Sequence, residues 1–347
     1  MSKTLLAKNK VVIASAGSRK TTSLVEAALA VRDGNVLLTT YTTENVDQIC
    51  AYLVKRKGFI PKNITILSWF GFLLQDGVRP YQNHITARGR IPTINFTAAP
   101  DRYTPKTNAD KYFLTANDAI YRDRVSDFIC SCDDRSGGLV VRRLEKIYET
   151  IFIDELQDFA GYDLTFLEKL FNSTISVIAV GDPRQATFST NNSAKNSRFK
   201  KRNIVEWIND GKAKNLFTVE ERAECYRSNQ AICDFADALF PTLPKTISKN
   251  IEVTGHDGVF CIGSSEVADY VSLRQPVVLR HNKTTDTMSL PALNIGLTKG
   301  RTYDRVLIFP TEPMKKYLRS KKLGDAGDLA KLYVGVTRAK YSSTFVV

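Results

Sequence analysis

Residues 11–25 read VVIASAGSRKTTSLV. Val11, Val12 and Ile13 favour an extended, buried chain, the residues from Ala14 to Gly17 are small, and from Thr21 onward the sequence suits a helix. A strand that passes through a small-residue turn into a helix N-terminus is the setting of a phosphate-binding loop. Small residues let successive backbone N–H groups wrap an anion, and the helix dipole adds to the attraction. Lys20 is placed to reach β- and γ-phosphates, and Thr21 to offer its hydroxyl to Mg2+. Ala16, Gly17, Ser18, Arg19 and Thr22 fill out the candidate nucleotide-binding set. Measured against G-x-x-x-x-G-K-[ST], the loop has Ala14 and Arg19 at the two glycine positions and keeps Gly17 between them. A basic turn without a ligand is the competing explanation of this segment alone.

The partner of such a loop is a buried strand ending in a metal-binding acid. TIFIDELQD, residues 150–158, has that form. Asp154 is the candidate metal ligand beside Thr21, and Glu155 the candidate base that polarises an attacking water. Farther on, SVIAVGDPRQ (176–185) ends a third strand in Gln185, whose amide suits a γ-phosphate or its water. Adjacent carboxylates at a solvated helix start, and an ordinary strand-end turn, are the plainer readings of these two segments.

Apolar runs at 11–14, 36–40, 65–67, 150–154, 176–180, 276–280, 292–297 and 305–310 are expected to be buried strands. Helical patterns follow several of them, at 21–32, 43–55, 163–172, 229–239 and 328–334. Strands alternating with helices imply an α/β fold with parallel sheets covered on both faces. Three zones break the pattern. Residues 76–148 hold four prolines up to Pro105 and a weak helical periodicity over 110–128, and are expected to be an insertion or small subdomain. Residues 189–222 contain KNSRFKKRN, and residues 240–263 are irregular.

The chain has 347 residues, which by length alone suggests two or three domains. Hydrophobic residues make up 43% and charged residues 24%, so a packed core is expected rather than disorder. The net charge is +13. Residues 1–150 carry a basic surplus of 8 and residues 223–347 a surplus of 5, while 151–222 are balanced. That distribution suits a polyanion lying across two lobes, and equally two solvated faces. The six cysteines form no C-x-x-C and there are three histidines, so neither a zinc site nor a disulfide framework is expected. No apolar run reaches the roughly 18 residues a membrane helix needs. The apolar stretch after Met1–Lys10 is too short for a secretory leader. A cytoplasmic protein is expected.

Taken in order, the motifs resemble those of superfamily 1 DNA helicases of the UvrD/Rep type. They are ASAGSRKTT, VLLTTYTTENV, ITILSWFGFLL, FIDELQD, VGDPRQATF, ECYRSNQAI, TKGRTYDRVLIF and YVGVTRAK, spread from residue 14 to 340. The resemblance implies two RecA-like P-loop lobes, residues 1–222 and 223–347, with a reduced insertion at about 76–148 in the first. It implies ATP hydrolysis with Mg2+ bound by Thr21 and Asp154. Glu155, Gln185, Arg227 and Arg338 would be the catalytic set, the two arginines reaching the γ-phosphate from the second lobe. Tyr226 would stack on the nucleotide base, and Gly300 would lie at the nucleotide. Hydrolysis would then alter how the lobes pack, the bistable element a motor needs. For single-stranded or partly duplex DNA, the resemblance places Thr40, Tyr41, Thr42, Trp69, Phe70 and Phe188 at the strand, with Lys299 and Arg301 as phosphate contacts. Aromatic side chains there suit sequence-tolerant stacking.

Several features set this chain apart from that family. Arg19 replaces the loop glycine, no glutamine motif precedes the loop, and Thr302 stands where an acid is common. Only about sixty residues separate ECYRSNQAI from TKGRTYDRVLIF, too few for a large second-lobe insertion, so a compact motor is expected. No nuclease cluster follows the last motif, and a nuclease or ATPase partner in a repair or phage-defence complex is the expected setting. Three functions stay open: a single-strand-stimulated translocase or helicase, 3′→5′ by resemblance; a nucleotide-dependent nucleic-acid sensor with little unwinding; and an RNA-directed superfamily 1 helicase.

Overall fold

The structure is a computed structural model and describes residues 8–347. Residues 1–7, most of the N-terminal stretch weighed above as a leader, lie outside the described residues. The chain forms two compact units. One takes in residues up to Val12, Lys20–Pro183 and Phe188–Glu220; the other takes in Ile13–Arg19, Arg184–Thr187 and Glu221–Val347.

The first unit is built on β1 (Lys10–Ala14), β2 (Val36–Thr40), β3 (Ile64–Ser68), β6 (Thr150–Ile153), β7 (Ser176–Gly181) and β8 (Thr218–Arg222), with a separate pair, β4 (Ile94–Asn95) and β5 (Ile120–Tyr121). The large sheet runs in the order β3-β2-β6-β7-β1-β8. The pairs β2–β3, β2–β6 and β6–β7 are parallel, with Val36 opposite Thr150 and Thr150 opposite Ser176. Every residue of β2 and β6 is buried. Strands covered on both faces read as unbroken apolar or β-branched runs, which is how VLLTT and TIFI appear in the sequence.

Helices α1 (Lys20–Ala30) and α2 (Thr43–Lys57) follow β1 and β2. Local chemistry fixes the ends of α2. The Thr42 hydroxyl accepts the Asn45 N–H, Gly58 turns out at φ +83° with its N–H on Val54 O, and Lys55, Arg56 and Lys57 occupy the last turn. Each satisfies an end group or complements the dipole.

The zone 76–148 departs from the expected periodicity. The pattern over 110–128 resolves into a short helix, Ala109–Phe113, then a turn, then α3 (Val125–Arg135). Helix formation stops because Leu114 pairs with Ile120 in an antiparallel bridge, while Asp118 takes a left-handed φ of +58°. Nine of the eleven α3 residues are buried. Further helices are α4 (Leu139–Ile147), α5 (Tyr162–Phe171) and α6 (Ile204–Ala213). Asp163, at the start of α5, accepts hydrogen bonds from Ser126 of α3 and from Trp69 Nε1 at 3.0 Å. Burial pushes its carboxyl above the ordinary range. The basic run 195–203 forms two single 3-10 turns anchored by Phe199, which is buried, with Arg198 paired to Asp210.

The second unit holds a parallel pair, β9 (Glu224–Cys225) with β10 (Ile247–Ser248), and a five-stranded sheet. The latter comprises β11 (Gly258–Ile262), β12 (Val277–Arg280), β13 (Leu293–Asn294), β14 (Tyr303–Phe309) and β15 (Ala339–Val346), in the order β11-β15-β14-β12-β13. All four pairings are parallel. Helices α7 (Gln230–Ala238), α8 (Val267–Arg274), α9 (Glu312–Ser320) and α10 (Leu329–Val336) accompany it. Its core gathers Ile232, Leu279, Val306, Ile308, Met314 and Tyr333, and it includes Ala16 of the loop.

Two sequence expectations change here. The strand expected over 292–297 is only Leu293–Asn294, because residues 295–298 close into a 3-10 turn with the Thr298 hydroxyl donating to Ile295 O. The irregular zone 240–263 ends in β11, an edge strand. The segment KKYLRSKK (315–322) is strongly basic; its cationic side chains lie on α9 and just past its end, while Met314, Tyr317 and Leu318 of the helix are buried. The pairings β2–β3, β2–β6 and β6–β7 of the first sheet and all four of the second are parallel, as the alternation of strands and helices implied, and the α/β architecture is that of RecA-like lobes.

Candidate nucleotide site and nucleic-acid face

In the first unit the chemistry gathers where α1 begins and β6 ends. Lys20 and Thr21 open α1. The Thr21 hydroxyl donates to Asp154 Oδ2 at 2.6 Å. Asp154 follows β6 directly, is 2% exposed, and is held by its own N–H on Thr39 O at 2.9 Å. Burial, reinforced by the Glu155 charge, pushes its carboxyl up to about 6. Glu155 adopts a left-handed φ of +59°, uncommon for a residue with a side chain. Its N–H donates to Asp154 Oδ1 at 2.9 Å, and Gln157 Nε2 donates to its carboxylate. The turn therefore keeps the two carboxylates distinct, one buried against the threonine and one half-buried.

A hard cation fits this donor set. Thr21 and Asp154 present two oxygens 2.6 Å apart, close enough to share one ion. Mg2+ is usually held in this way, by one or two protein oxygens with waters and substrate phosphates supplying the rest. Among the described residues no group of three or more His, Cys, Asp or Glu could hold a metal.

In the second unit the loop 13–19 is fixed by four backbone ties. Ser15 N–H donates to Arg222 O at 3.2 Å, Ala16 N–H to the Tyr333 hydroxyl at 3.1 Å, Ser18 N–H to Ser15 O at 3.3 Å, and Tyr226 N–H to Gly17 O at 2.9 Å. Gly17 has φ +77°, and a Cβ there would meet Arg227 Cβ at 2.7 Å and Cys225 Sγ at 2.8 Å. No other residue fits. Ser18 Oγ is buried without a protein partner, as a hydroxyl awaiting a ligand oxygen would be. Arg19, at φ +60°, lays its guanidinium over the Tyr226 ring, 4.1 Å from the centroid.

The remaining expected residues of this unit also converge in part. Arg338 is 1% exposed and donates to Val334 O (3.1 Å), Thr298 O (3.3 Å), Arg301 O (3.3 Å) and Gln185 Oε1 (3.3 Å). It thus ties the 298–301 turn to Gln185. Arg227 Nη1 donates to Thr337 O at 3.0 Å. Gly300 lies exposed on the turn at φ +78°. Thr22 lies half-buried in the first turn of α1.

The expected strand-binding residues are less uniform. Thr40 is fully buried, and its hydroxyl accepts from Asn45 Nδ2 at 3.3 Å; Thr42 caps α2. Tyr41 is half-buried and packs against Phe70 with centroids 6.0 Å apart. Trp69 does not face a ligand. It is 0% exposed, among Phe72, Phe159 and Phe166, with its indole N–H on Asp163. A stacking platform needs an open ring face, and Trp69 has none, so it is a core residue. Phe70 is also buried, but its edge meets Phe96 at 5.2 Å and 89°. Phe96 is 54% exposed and was not singled out in the sequence: it is a lone aromatic in a proline-rich stretch outside every motif. Phe188 is exposed, Lys299 half-buried and Arg301 exposed.

Comparisons with known proteins add the following. A family model described as viral superfamily 1 RNA helicase core domain matches residues 133–347. Two solved structures match with a TM-score of 0.52 and 17% identity over 99% of this chain: the crystal structure of arterivirus nonstructural protein 10 (helicase), and a complex structure of arterivirus nonstructural protein 10 (helicase) with DNA. The chain covers 61% and 62% of those chains, so it spans about three fifths of the length of the structures it matches. At that identity the likeness is one of fold. No curated protein matches the chain.

Proposed function

The chain belongs to the viral superfamily 1 RNA helicase core family, and from that premise we propose that it is a nucleoside-triphosphate-driven motor that moves on single-stranded nucleic acid. The observation that carries this proposal is the 2.6 Å contact between Thr21 and Asp154, which joins the loop helix to the end of β6. The superfamily is the one the motif order resembled; the matching family is its viral branch rather than UvrD and Rep.

Lys20 and the loop amides bind the triphosphate, whose charge they offset at a helix N-terminus. Thr21 and Asp154 would hold Mg2+, which would supply positive charge that screens the phosphates. Glu155 accepts the proton of the attacking water; its half-buried carboxylate is kept distinct from that of Asp154 by the left-handed turn. Gln185 orients that water, and Arg338 positions Gln185 through their 3.3 Å bond. Arg227 supplies positive charge where negative charge grows on the transferred phosphoryl group.

On the first unit, Tyr41 and Phe96 flank Phe70 and offer rings to bases, with Thr42 nearby. On the second, Lys299 and Arg301 meet strand phosphates. RNA is favoured as the strand because the family is described by RNA helicases; DNA is the alternative, supported by the DNA-bound arterivirus relative. The 3′→5′ direction and a nuclease or ATPase partner extend the proposal on motif resemblance.

Phosphate release measured with and without single-stranded RNA and DNA oligomers tests it. Stimulation by one of them, abolished in Lys20→Ala, is expected, and the preferred oligomer identifies the strand. Turnover indifferent to both would sink the motor. Tight nucleotide and oligomer binding without turnover would point instead to a sensor.

A further inference from the structure

We propose that Arg19 occupies the ring on which a nucleobase would stack, so that guanidinium and base compete for Tyr226 and nucleotide selection falls on the triphosphate. This rests on the nucleotide-binding function assigned above to residues 16–21.

The position of Tyr226 is set by the loop itself. Its N–H donates to Gly17 O at 2.9 Å, and its neighbour Arg227 crowds the Cα of Gly17, so the ring cannot drift from the phosphate-binding turn. Its hydroxyl donates to Glu224 Oε2 at 2.7 Å, and Glu224 pairs with Lys249 at 3.3 Å. The ring is 38% exposed. A nucleotide whose phosphates lie on the loop carries its base within reach of this ring, and a tyrosine face is a good surface for any base.

Arg19 takes a share of that surface. Its φ of +60° is a conformation that costs a residue with a Cβ backbone energy, and strain of this kind persists where the surrounding structure imposes it. The reversed turn carries the side chain onto the ring at 4.1 Å, well inside the range of a cation–π contact. A guanidinium there is planar, permanently charged and weakly hydrated, so it stacks where a lysine would be drawn into water. A base must displace this contact, and the gain from stacking is reduced by what the guanidinium loses.

Equilibrium binding measures this directly. Isothermal titration calorimetry with Mg2+ is run for ATP, UTP and inorganic tripolyphosphate on the whole chain. The deciding quantity is the ratio of the tripolyphosphate Kd to the ATP Kd, which cancels any plain effect of Arg19 charge on phosphate. In Arg19→Gly and Arg19→Asn, both tolerant of the left-handed turn, the ratio is expected to rise by about two- to fivefold, the scale of an exposed cation–π contact. Preference for ATP over UTP is expected to rise with it. In Tyr226→Leu the platform is gone, and adding Arg19→Gly should then change nothing. An unchanged or lower ratio in both Arg19 variants, or the same rise in the Tyr226→Leu background, overturns the proposal. Failure of the unsubstituted chain to bind either ATP or tripolyphosphate would instead remove the nucleotide-binding function beneath it.

Discussion

Thr21 and Asp154 lie 133 positions apart in the chain and share a 2.6 Å hydrogen bond. The bond joins the N-terminus of α1 to the end of β6, and it presents two oxygens to one point. Asp154→Asn keeps the size of the side chain and removes its charge. Nucleotide hydrolysis is expected to fall at least a hundredfold, with excess Mg2+ giving no rescue. The metal-free fold is expected to hold, because an amide still partners the Thr21 hydroxyl. Malachite-green phosphate assays across a Mg2+ titration, beside thermal melts in chelator, check both halves.

Gly17→Ala is expected to lower stability by about 1–3 kcal/mol, since the new Cβ would lie 2.7 Å from Arg227 Cβ and the residue has φ +77°. Nucleotide binding should fall with it, because the loop must open to relieve the contact. A melt and an ATP titration of the same sample would show both losses; a variant that melts and binds as the unsubstituted protein does would contradict the geometry.

Phe96 and Trp69 should respond in opposite ways. Phe96 is half exposed, and Phe96→Ala is expected to leave the melting temperature nearly unchanged while raising the half-saturating oligomer concentration for stimulated hydrolysis. One lost base stack corresponds to about 1–3 kcal/mol. Trp69→Ala empties a closed site and removes one of the hydrogen-bond donors to the Asp163 carboxylate, at a cost of about 3–5 kcal/mol. An oligomer titration on Phe96→Ala that overlays the unsubstituted curve would remove that ring from the nucleic-acid face.

The pH dependence can be read at Asp163. Burial raises its folded-state pKa above the unfolded value, so the folded protein holds this proton to higher pH than the unfolded chain does. Its effect is therefore absent at pH below the unfolded pKa and grows unfavourable as pH rises through and above it. Asp163→Asn keeps an acceptor for Trp69 Nε1 and removes the buried charge. The variant is expected to gain stability relative to the unsubstituted protein on going from pH 4 to neutrality, as followed by urea denaturation at several pH values.

Arg338→Lys tests how far one guanidinium organises the second unit. Val334 O, Thr298 O, Arg301 O, Gln185 Oε1 and Thr337 Oγ1 are served by one planar group, and an ammonium on a linear stem cannot reach them together. A loss of at least about 2 kcal/mol in stability is expected, with hydrolysis reduced further than the stability loss explains.

Much of the architecture was legible from strands buried on both faces. The runs at 36–40 and 150–153 carry β-branched and apolar residues without interruption, and only central strands of a parallel sheet look like that. The residues Thr21 and Asp154 could be named because each directly follows a recognisable local element. β15 escaped for the opposite reason: AKYSSTFV places Ser342, Ser343 and Thr344 in the interior, all 0% exposed. Two of these hydroxyls are matched only in three dimensions, Ser342 by Arg305 and Thr344 by Tyr270. Trp69 was misplaced because a tryptophan after a strand looks the same in sequence whether its indole N–H meets water or a buried aspartate. Phe96 had no pattern around it at all; its significance comes from Phe70, twenty-six positions earlier.

The order β11-β15-β14 has a consequence for synthesis. Among the described residues β11 pairs only with β15, so within them its backbone has no sheet partner until the ribosome has made residues some eighty positions later. At about 5–20 residues per second, that is a delay of roughly 4–16 seconds. Throughout it, β11 stands as an open hydrogen-bonding template, joined by the near edge of β14 once residues 303–309 have been made. The second unit therefore completes its sheet only after residues 339–346 have been made, and chaperone dependence in a cell-free system should be greatest for nascent chains stalled before residue 339.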